Sequence, residues 1–450
     1  MKPLPTPPDA REILSAMISK DPEAAMTFIT ARPEDHKGRY LHWEKLKRLP
    51  PPDGLTPEQY WAITKLSREK ARREIPLSQK AGNAFWFTEP RILFSALRDL
   101  DMTSGGSILT RGHDLNAEDQ RRYLARSLVE EPFSSSVLEG AATTRQAARE
   151  MIESGKTPRT RDERMVLNNY NALRFVKSLS DTPLTPELIL EIHHIVTVGT
   201  LDSPEKCGVL RDDGDDITAQ DEITGDVLHV PPGAASLPAR LEALCAFANA
   251  DHRDGEFIHP ILKAIILHFM IGYDHPFVDG NGRTARALFY WYVLKADYWL
   301  LEYVSISKTI MEAPVQYGRA YLETESDDGD LTYFLIDQVN VLKRAVAQLF
   351  EYAERRKTLL DQFAGALRDE SLNHRQTFLL NDAARGRVRQ VTIAEHQRQH
   401  GVSYLTARAD LEDLVERRLF RKKKQGRTSL YISAPDLVRR LGGEEAPGYS

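Results

Sequence analysis

The run His275–Arg286, His-Pro-Phe-Val-Asp-Gly-Asn-Gly-Arg-Thr-Ala-Arg, constrains the fold more than any other stretch. It follows an apolar segment, Ile261 to Tyr273, and leads into a periodic one carrying Ala285, Leu288, Phe289, Tyr292 and Leu294. Both flanks read as helices, so the run is a loop that opens a helix inside a core. Gly280, Asn281 and Gly282 form a small turn whose backbone N–H groups can converge on an anion. The unpaired N–H groups and the dipole of a helix start favour negative charge at that place. Arg283 and Arg286 follow at i, i+3 on one face. His275 offers a base that can be neutral near pH 7. Asp279 offers a hard oxygen ligand suited to Mg²⁺. A base, a metal carboxylate, an anion cradle and two fixed cations suit attack by a hydroxyl on a nucleotide phosphate. The plain alternative is a polar loop between two core helices, which has no need of that combination.

The run resembles the signature of the Fic family, HPFxDGNGRxxR, with every signature position matched. The resemblance implies nucleotidyl transfer, usually of AMP from ATP with Mg²⁺ onto a Ser, Thr or Tyr hydroxyl of a protein. By the same resemblance His275 would deprotonate the acceptor hydroxyl and Asp279 would hold Mg²⁺. Gly280, Asn281 and Gly282 would bind the α- and β-phosphates, Arg283 would contact phosphate, and Arg286 would pair with the γ-phosphate. Phe277 would be a buried anchor.

Upstream, Phe133 to Gly140 taken alone is a short helix ended by its glycine, with Ser135 and Glu139 on one face. Beside the signature it resembles the family's inhibitory motif, Ser/Thr-x-x-x-Glu-Gly/Asn, matched by Ser135, Glu139 and Gly140. The resemblance implies a salt bridge between Glu139 and Arg286. Arg286 can hold the γ-phosphate or Glu139, but not both in one geometry, and a carboxylate–guanidinium pair in a partly dry site is strong enough to compete. A nucleotide bound beside that pair would have its α-phosphate misplaced, and about 1 Å of misplacement costs roughly a hundredfold in rate. The same glutamate could orient a water and remove AMP from a target, so the reverse reaction stays open.

A length of 450 residues suggests roughly two to four domains. Apolar residues at 41% suffice for packed cores, and a net charge of −5 argues against wholesale coating of nucleic acid. Cys207 and Cys245 lack metal-ligand spacing and fit a reducing compartment. Met1 to Pro8 has no apolar run of a secretory signal, and Ile261–Tyr273 is too short to span a membrane. The expectation is a soluble cytoplasmic protein without a membrane partner.

The expected fold is mainly α: an N-terminal helical region over 1–112, a Fic-type helical core over 113–360, and a winged-helix-like domain over 370–436. The core includes the inhibitory helix 133–140 and a small β-hairpin flap, 217–232. Helices are expected over Ala10 to Ile29 and from Pro57, capped by Thr56 after the break Pro50–Gly54. The charge run Arg68 to Glu74 reads as the solvated continuation of that second helix. Ser104-Gly105-Gly106 reads as a loop. Asn116 would cap a helix carrying Tyr123, Leu124 and Leu128 until Pro132 interrupts it. Arg164 to Leu179 reads as a helix with Tyr170, Leu173 and Phe175 inward. Thr185 caps the next, whose His193 and His194 point apart and read as structural.

Gly208-Val209-Leu210-Arg211 resembles the family's loop-tethering element. Ile217, Ile223 and Val227–Val230 form two strands around Thr224–Gly225. The resemblance makes this hairpin a flap that clamps a target chain by backbone pairing, with Leu228 and His229 on the nucleotide side. A plain surface hairpin is the alternative. Leu237 to Phe247 and Ile258 to Tyr273 are helices, with His259 and His268 as capping or core residues. Ser305 to Glu323 reads as one helix with Tyr317 as a candidate for the adenine pocket. Asp327–Asp330 is a turn, and Leu331 to Leu359 a long helix.

Arg375–Ala384, Thr392–His400 and Ser403–Arg418 read as three helices, followed by the basic run Arg421–Arg427 and a strand, Ser429–Ile432. Three helices and a hairpin resemble a winged helix, with Ser403, Tyr404, Thr406 and Arg408 on its recognition helix and the basic run on its wing. Two functions are compatible in one chain: a self-inhibited adenylyltransferase, able to modify itself and to form a homodimer, and a DNA-binding regulator that uses the core as a nucleotide sensor.

Overall fold

The computed structural model describes residues 1–20, 31–52, 54–104, 128–179, 181–215, 217–220, 224–251, 257–369, 371–384, 388–425 and 428–442. The Asn116-capped helix with Tyr123 and Leu124, the end of the first helix, Asp53, Gly105–Gly106, Ile223 and Gly426–Arg427 lie outside these residues. The chain divides into two compact units, the first ending at Ala347 and the second beginning at Gln348. The long helix that joins them is described below with each.

The first unit is mainly helical. It starts with α1 (Ala10–Lys20), α2 (Trp43–Leu46), α3 (Pro57–Lys70), the antiparallel hairpin of β1 (Arg73–Ser78) and β2 (Ala84–Phe87), and α4 (Arg91–Ser104). Thr56 caps α3 and Gln59 reciprocates, which satisfies two N–H groups at once. The expected solvated helical run Arg68–Glu74 holds only in part: α3 continues to Lys70, and Lys70, Ala71, Arg72 and Glu74 are exposed. Arg68 is closed to solvent, and Arg73 opens β1. The guanidinium of Arg68 donates to the carbonyls of Pro33 (2.9 Å) and Leu41 (3.0 Å) and to the Tyr333 hydroxyl (2.6 Å). It also lies 3.7 Å from the Tyr40 ring centre. A planar cation with its donors met and an aromatic face against it is stable in a core. Lys65 pairs with Asp327 at 2.7 Å, and Tyr40 donates to Asp330 at 2.6 Å. These buried bonds lie within one compact unit that holds the described part of 1–112 and the described residues up to Ala347.

Next come α5 (Glu130–Leu138), α6 (Arg145–Ser154), α7 (Arg161–Ser178), α8 (Pro186–Thr197), a hairpin of β3 (Ala219–Gln220) and β4 (Val227–His229), and α9 (Leu237–Asn249). Then follow α10 (Pro260–Asp274), α11 (Asn281–Lys295), α12 (Ile306–Met311), α13 (Pro314–Ser326) and α14 (Thr332–Asp369). Helix α10 is buried at every position from Ile261 to Ile271, the mark of a central helix. Pro132 sits in the first turn of α5, where a missing N–H is no loss. The buried stripe of α7 runs through Met165, Val166, Asn168, Asn169, Ala172 and Val176, and the expected Tyr170, Leu173 and Phe175 are half-buried. Two asparagines take core positions because each has a partner there: Asn168 donates to Val198 (2.8 Å) and Asn169 to Ser136 (2.8 Å). The single helix expected over Ser305–Glu323 is two. Pro314 has no N–H to give and holds Ala313 out of the helical region, at φ −147°.

Helix α14 ends in the second unit. Beyond it lie α15 (His374–Ala384), β5 (Gln390–Thr392), α16 (Ile393–His400), α17 (Tyr404–Glu416), β6 (Phe420–Gln425), β7 (Thr428–Ser433) and α18 (Leu437–Gly442). The sheet order is β5-β7-β6, antiparallel throughout. Leu379, Leu380, Val391, Ala407, Leu411, Leu414, Phe420 and Tyr431 form its core. The strand expected at Ser429–Ile432 is β7, and the basic stretch before it, Arg421–Lys424, is itself part of β6, an edge strand, with all four side chains exposed. No helix among the described residues is long and apolar enough to cross a membrane.

Candidate active site at a helix mouth

Helix α10 ends on His275 in the left-handed conformation, φ 44° and ψ 57°. That backbone costs a residue with a Cβ roughly 1–3 kcal/mol, so its surroundings must hold it. Arg211 does so. Its Nε donates to the His275 carbonyl at 2.7 Å, its own N–H donates to Pro276 at 2.9 Å, and its guanidinium also reaches Pro232. The Nδ1 atom of His275 lies 3.2 Å from the Gly272 carbonyl. A carbonyl only accepts, so the neutral ring carries its proton on Nδ1 and presents a lone pair at Nε2. Burial moves its pKa below the ordinary histidine value, with the Gly272 carbonyl pulling the other way.

Phe277 is fully buried, and Asn281 braces the turn around it. The Phe277 N–H donates to Asn281 Oδ1 (3.0 Å), and Asn281 Nδ2 donates back to the Phe277 carbonyl (2.8 Å). The Asn281 side chain is thereby engaged, and any phosphate contact from this residue is left to its backbone. Gly280 has φ 82°, and a Cβ there would lie 2.6 Å from Thr197 Cγ2. The first bond of α11 runs from Thr284 N–H to the Gly280 carbonyl at 2.9 Å. The N–H groups of Asn281, Gly282 and Arg283 therefore open at the helix mouth.

Glu139 stands over that mouth. A Cβ on Gly282 would lie 2.2 Å from Glu139 Oε1. The same oxygen accepts from Arg286 Nη2 at 2.8 Å. Ser135 holds Arg286 from the other side: Nε donates to its Oγ (2.9 Å) and Nη2 to its carbonyl (3.2 Å). Burial opposes the Arg286 charge most strongly, but Glu139, Tyr317 and Glu131 together outweigh it and the pKa is raised. Glu139 is the C-cap of α5, just past Leu138, and is followed by Gly140 at φ 89°.

Two further residues seat α5, and neither was identified in the sequence. Glu131, buried, accepts from the Ser307 N–H (3.0 Å), the Ser307 hydroxyl (2.6 Å) and the Ser305 hydroxyl (2.8 Å), which fastens α5 to the start of α12. Asn169 holds Ser136 from α7. In the sequence Glu131 is only an acid in a first helical turn, and its role depends on serines more than 170 residues away, as the 174-residue span of one bond shows.

Asp279 is half exposed. Its Oδ1 accepts from the Gly280 N–H and from Arg283 Nη2 (3.3 Å), and Oδ2 has no bonded partner among the described residues. Arg283 is closed to solvent, with Nη1 donating to the Val196 carbonyl at 2.9 Å. A phosphate contact from Arg283 would need these bonds replaced; here it is the counter-ion behind Asp279. No group of three or more metal-ligating side chains occurs among the described residues. One accessible carboxylate fits Mg²⁺, which keeps waters and takes phosphate oxygens as its other ligands.

Both ring nitrogens of His229 have partners within the fold. Its Nδ1 lies 2.7 Å from Glu325 Oε2 and its Nε2 2.7 Å from the Tyr273 carbonyl, so both nitrogens fasten β4 to α10 and α13. Leu228 is half-buried beside it, while Val227 and Val230 are exposed. Tyr317 is half-buried, with its hydroxyl 3.0 Å from His268 Nε2 and its ring against Phe334.

The helical domain, in which a braced loop ends one core helix on a histidine and opens the next with an anion-accepting turn, is similar to the Fic/DOC family. Residues 183–293 match that family's model, and the chain carries a Fic domain. Two curated relatives are called protein adenylyltransferase Fic. The one from Drosophila virilis is 27% identical over 193 residues, covering 41% of this chain and 36% of its own length. The one from Nematostella vectensis is 28% identical over 186 residues, covering 40% of each. The chain thus spans well under half the length of these relatives. A solved Fic family protein from Desulfovibrio desulfuricans G20 shares the fold, with a TM-score of 0.50 and 18% identity, over 78% of this chain and 98% of that one.

Proposed function

We propose that this chain is a self-restrained protein adenylyltransferase that moves AMP from ATP to a hydroxyl of a protein. The observation that carries the reading is the Glu139 carboxylate on Arg286, above Gly282, where a helix start calls for an anion. The acceptor hydroxyl gives its proton to Nε2 of His275, and its oxygen bonds to the α-phosphorus. The bond from that phosphorus to the bridging oxygen of the β-phosphate breaks, and pyrophosphate leaves. The N–H groups of Asn281, Gly282 and Arg283, together with Arg286 once released by Glu139, hold the phosphates. Mg²⁺, held through Asp279, would neutralise charge on the phosphate oxygens. The exposed side of β4 offers backbone to an extended target segment. With Glu139 in place the same site could aim a water at a modified hydroxyl, which makes the restrained form a candidate for the reverse reaction.

The test is label position. With Mg²⁺ and ATP labelled in the α-phosphate, protein is expected to become labelled; with γ-labelled ATP it is not. His275→Ala is expected to lower the α-label rate by roughly 10²–10⁴-fold, the usual worth of a general base. Label from the γ-phosphate would make the chain a kinase instead.

A second reading concerns the C-terminal unit, where Arg421, Lys422, Lys423 and Lys424 stand exposed on β6 and Tyr404 and Leu405 at the start of α17. Helix–strand–helix–helix–strand–strand resembles the winged-helix order, and a basic edge strand suits phosphate contact. In a gel shift on the chain's own promoter, Gln at Lys422, Lys423 and Lys424 is expected to weaken binding and lower the salt slope by about 2. The loss falls short of three contacts because Lys422 already pairs with Glu412. Binding indifferent to the change counts against DNA as a partner.

A further inference from the structure

Under the signature loop lies His193 of α8, closed to solvent. Its ring is flat on Phe277, with centres 3.7 Å apart and planes at 3°. The Gly208 N–H donates to its Nδ1 at 3.0 Å. A backbone N–H only donates, so Nδ1 carries the lone pair and Nε2 the proton. That proton is given to the Asp279 carbonyl at 2.9 Å. One tautomer is thereby fixed at both ends.

The carbonyl of Asp279 and the N–H of Gly280 belong to one rigid peptide plane. His193 holds the carbonyl end. The N–H end donates to Oδ1 of Asp279 itself. The orientation set by His193 therefore passes through the peptide to the carboxylate. Its other partner, Gly208, is three residues before Arg211, which holds the His275 carbonyl. A single ring thus joins the segment behind the base to the peptide that aims the acid.

We infer that His193 is a positioning residue of this site, setting the aim of the Asp279 carboxylate and hence the grip on Mg²⁺. The inference rests on the adenylyl-transfer reading. Outer partners of metal ligands typically contribute about 10–100-fold in metal affinity. In the Glu139→Gly chain, His193→Phe keeps the stacked ring and removes both hydrogen bonds. The Mg²⁺ concentration for half-maximal labelling is expected to rise tenfold or more, with a smaller change in the rate at saturating Mg²⁺. His193→Gln, which keeps one donor, is expected to fall between. A purely structural role would lower the rate alike at every Mg²⁺ concentration, and that result overturns the inference. If His193→Phe does not fold, an unchanged Mg²⁺ half-saturation in His193→Gln overturns it equally. If the Glu139→Gly chain labels nothing, the adenylyl-transfer reading has failed, and calorimetry of ATP binding to wild type and His193→Phe with and without Mg²⁺ decides the inference separately. Weaker binding by the variant only when Mg²⁺ is present supports it; equal binding, or none by either protein, overturns it.

Discussion

Glu139→Gly is expected to raise self-labelling from ATP by roughly a hundredfold, the cost of an α-phosphate held out of line. The change removes the carboxylate from the mouth of α11 and releases one side of Arg286. The guanidinium stays aimed, because its bonds to the Ser135 hydroxyl and carbonyl do not involve Glu139. Without nucleotide, however, the variant leaves a buried cation without its counter-ion. Breaking a fully buried pair costs about 3–5 kcal/mol. Glu139 keeps 25% of its side chain in solvent, so the expected cost is nearer 2 kcal/mol. Two measurements therefore belong together. Labelling should rise, and in thermal melts ATP should stabilise the variant more than the wild type, since a phosphate takes the place of the lost carboxylate. A labelling rate equal to that of wild type removes the restraint from the account.

Lowering the pH from 7 to 5 is expected to destabilise the first unit by a few kcal/mol. His42, His193 and His268 are all closed to solvent. Burial holds His42 down to about 4, His193 to about 4 and His268 to about 3. Each folded pKa lies below the unfolded value of about 6.5, so between the two the unfolded chain binds the proton and the folded chain does not. The stability from neutral burial is present above about pH 6.5 and is lost as pH falls toward the folded values. At pH 5 each histidine accounts for about 2 kcal/mol. Asp274 works in the opposite sense. Burial pushes it up to about 6, so it protonates more readily when folded and offsets part of the loss. Melts at the two pH values test this, with about 2 °C expected per kcal/mol for a unit of this size. A midpoint that does not move would show that these rings are not held neutral in the fold.

What could be read in the chain beforehand depended on how far each signal reaches. The caps at Thr56, Thr185, Ser305, Thr392 and Ser403 are local, since each side chain serves an N–H three residues on, and a short window contains them. The loop His275–Arg286 was legible because its chemistry needs those residue types in that order. The pairing of Glu139 with Arg286 joins positions 147 apart, and no spacing points to it; only the resemblance did. The β1–β2 hairpin was missed because its first strand begins on the last two residues of a charge run, although Ile75 and Leu77 alternate with exposed neighbours. Arg68 was misjudged because its partners, Pro33, Leu41 and Tyr333, come from three other parts of the chain. The phase of α7 was missed because two asparagines occupy its core positions. His229 and Asn281 were assigned to the nucleotide site by resemblance, and nothing in the sequence marks both side chains as engaged in bonds that only the folded backbone creates.

Glu139 caps the C-terminal end of its helix rather than sitting in its middle. The anchors at Glu131, Ser135 and Ser136 lie earlier along the same element. Opening of that cap alone would lift the carboxylate from the nucleotide's place and leave the helix and the rest of the bundle packed. The off and on states would then differ by a handful of bonds at one tip, a gap small enough for the binding of one ligand to tip the balance.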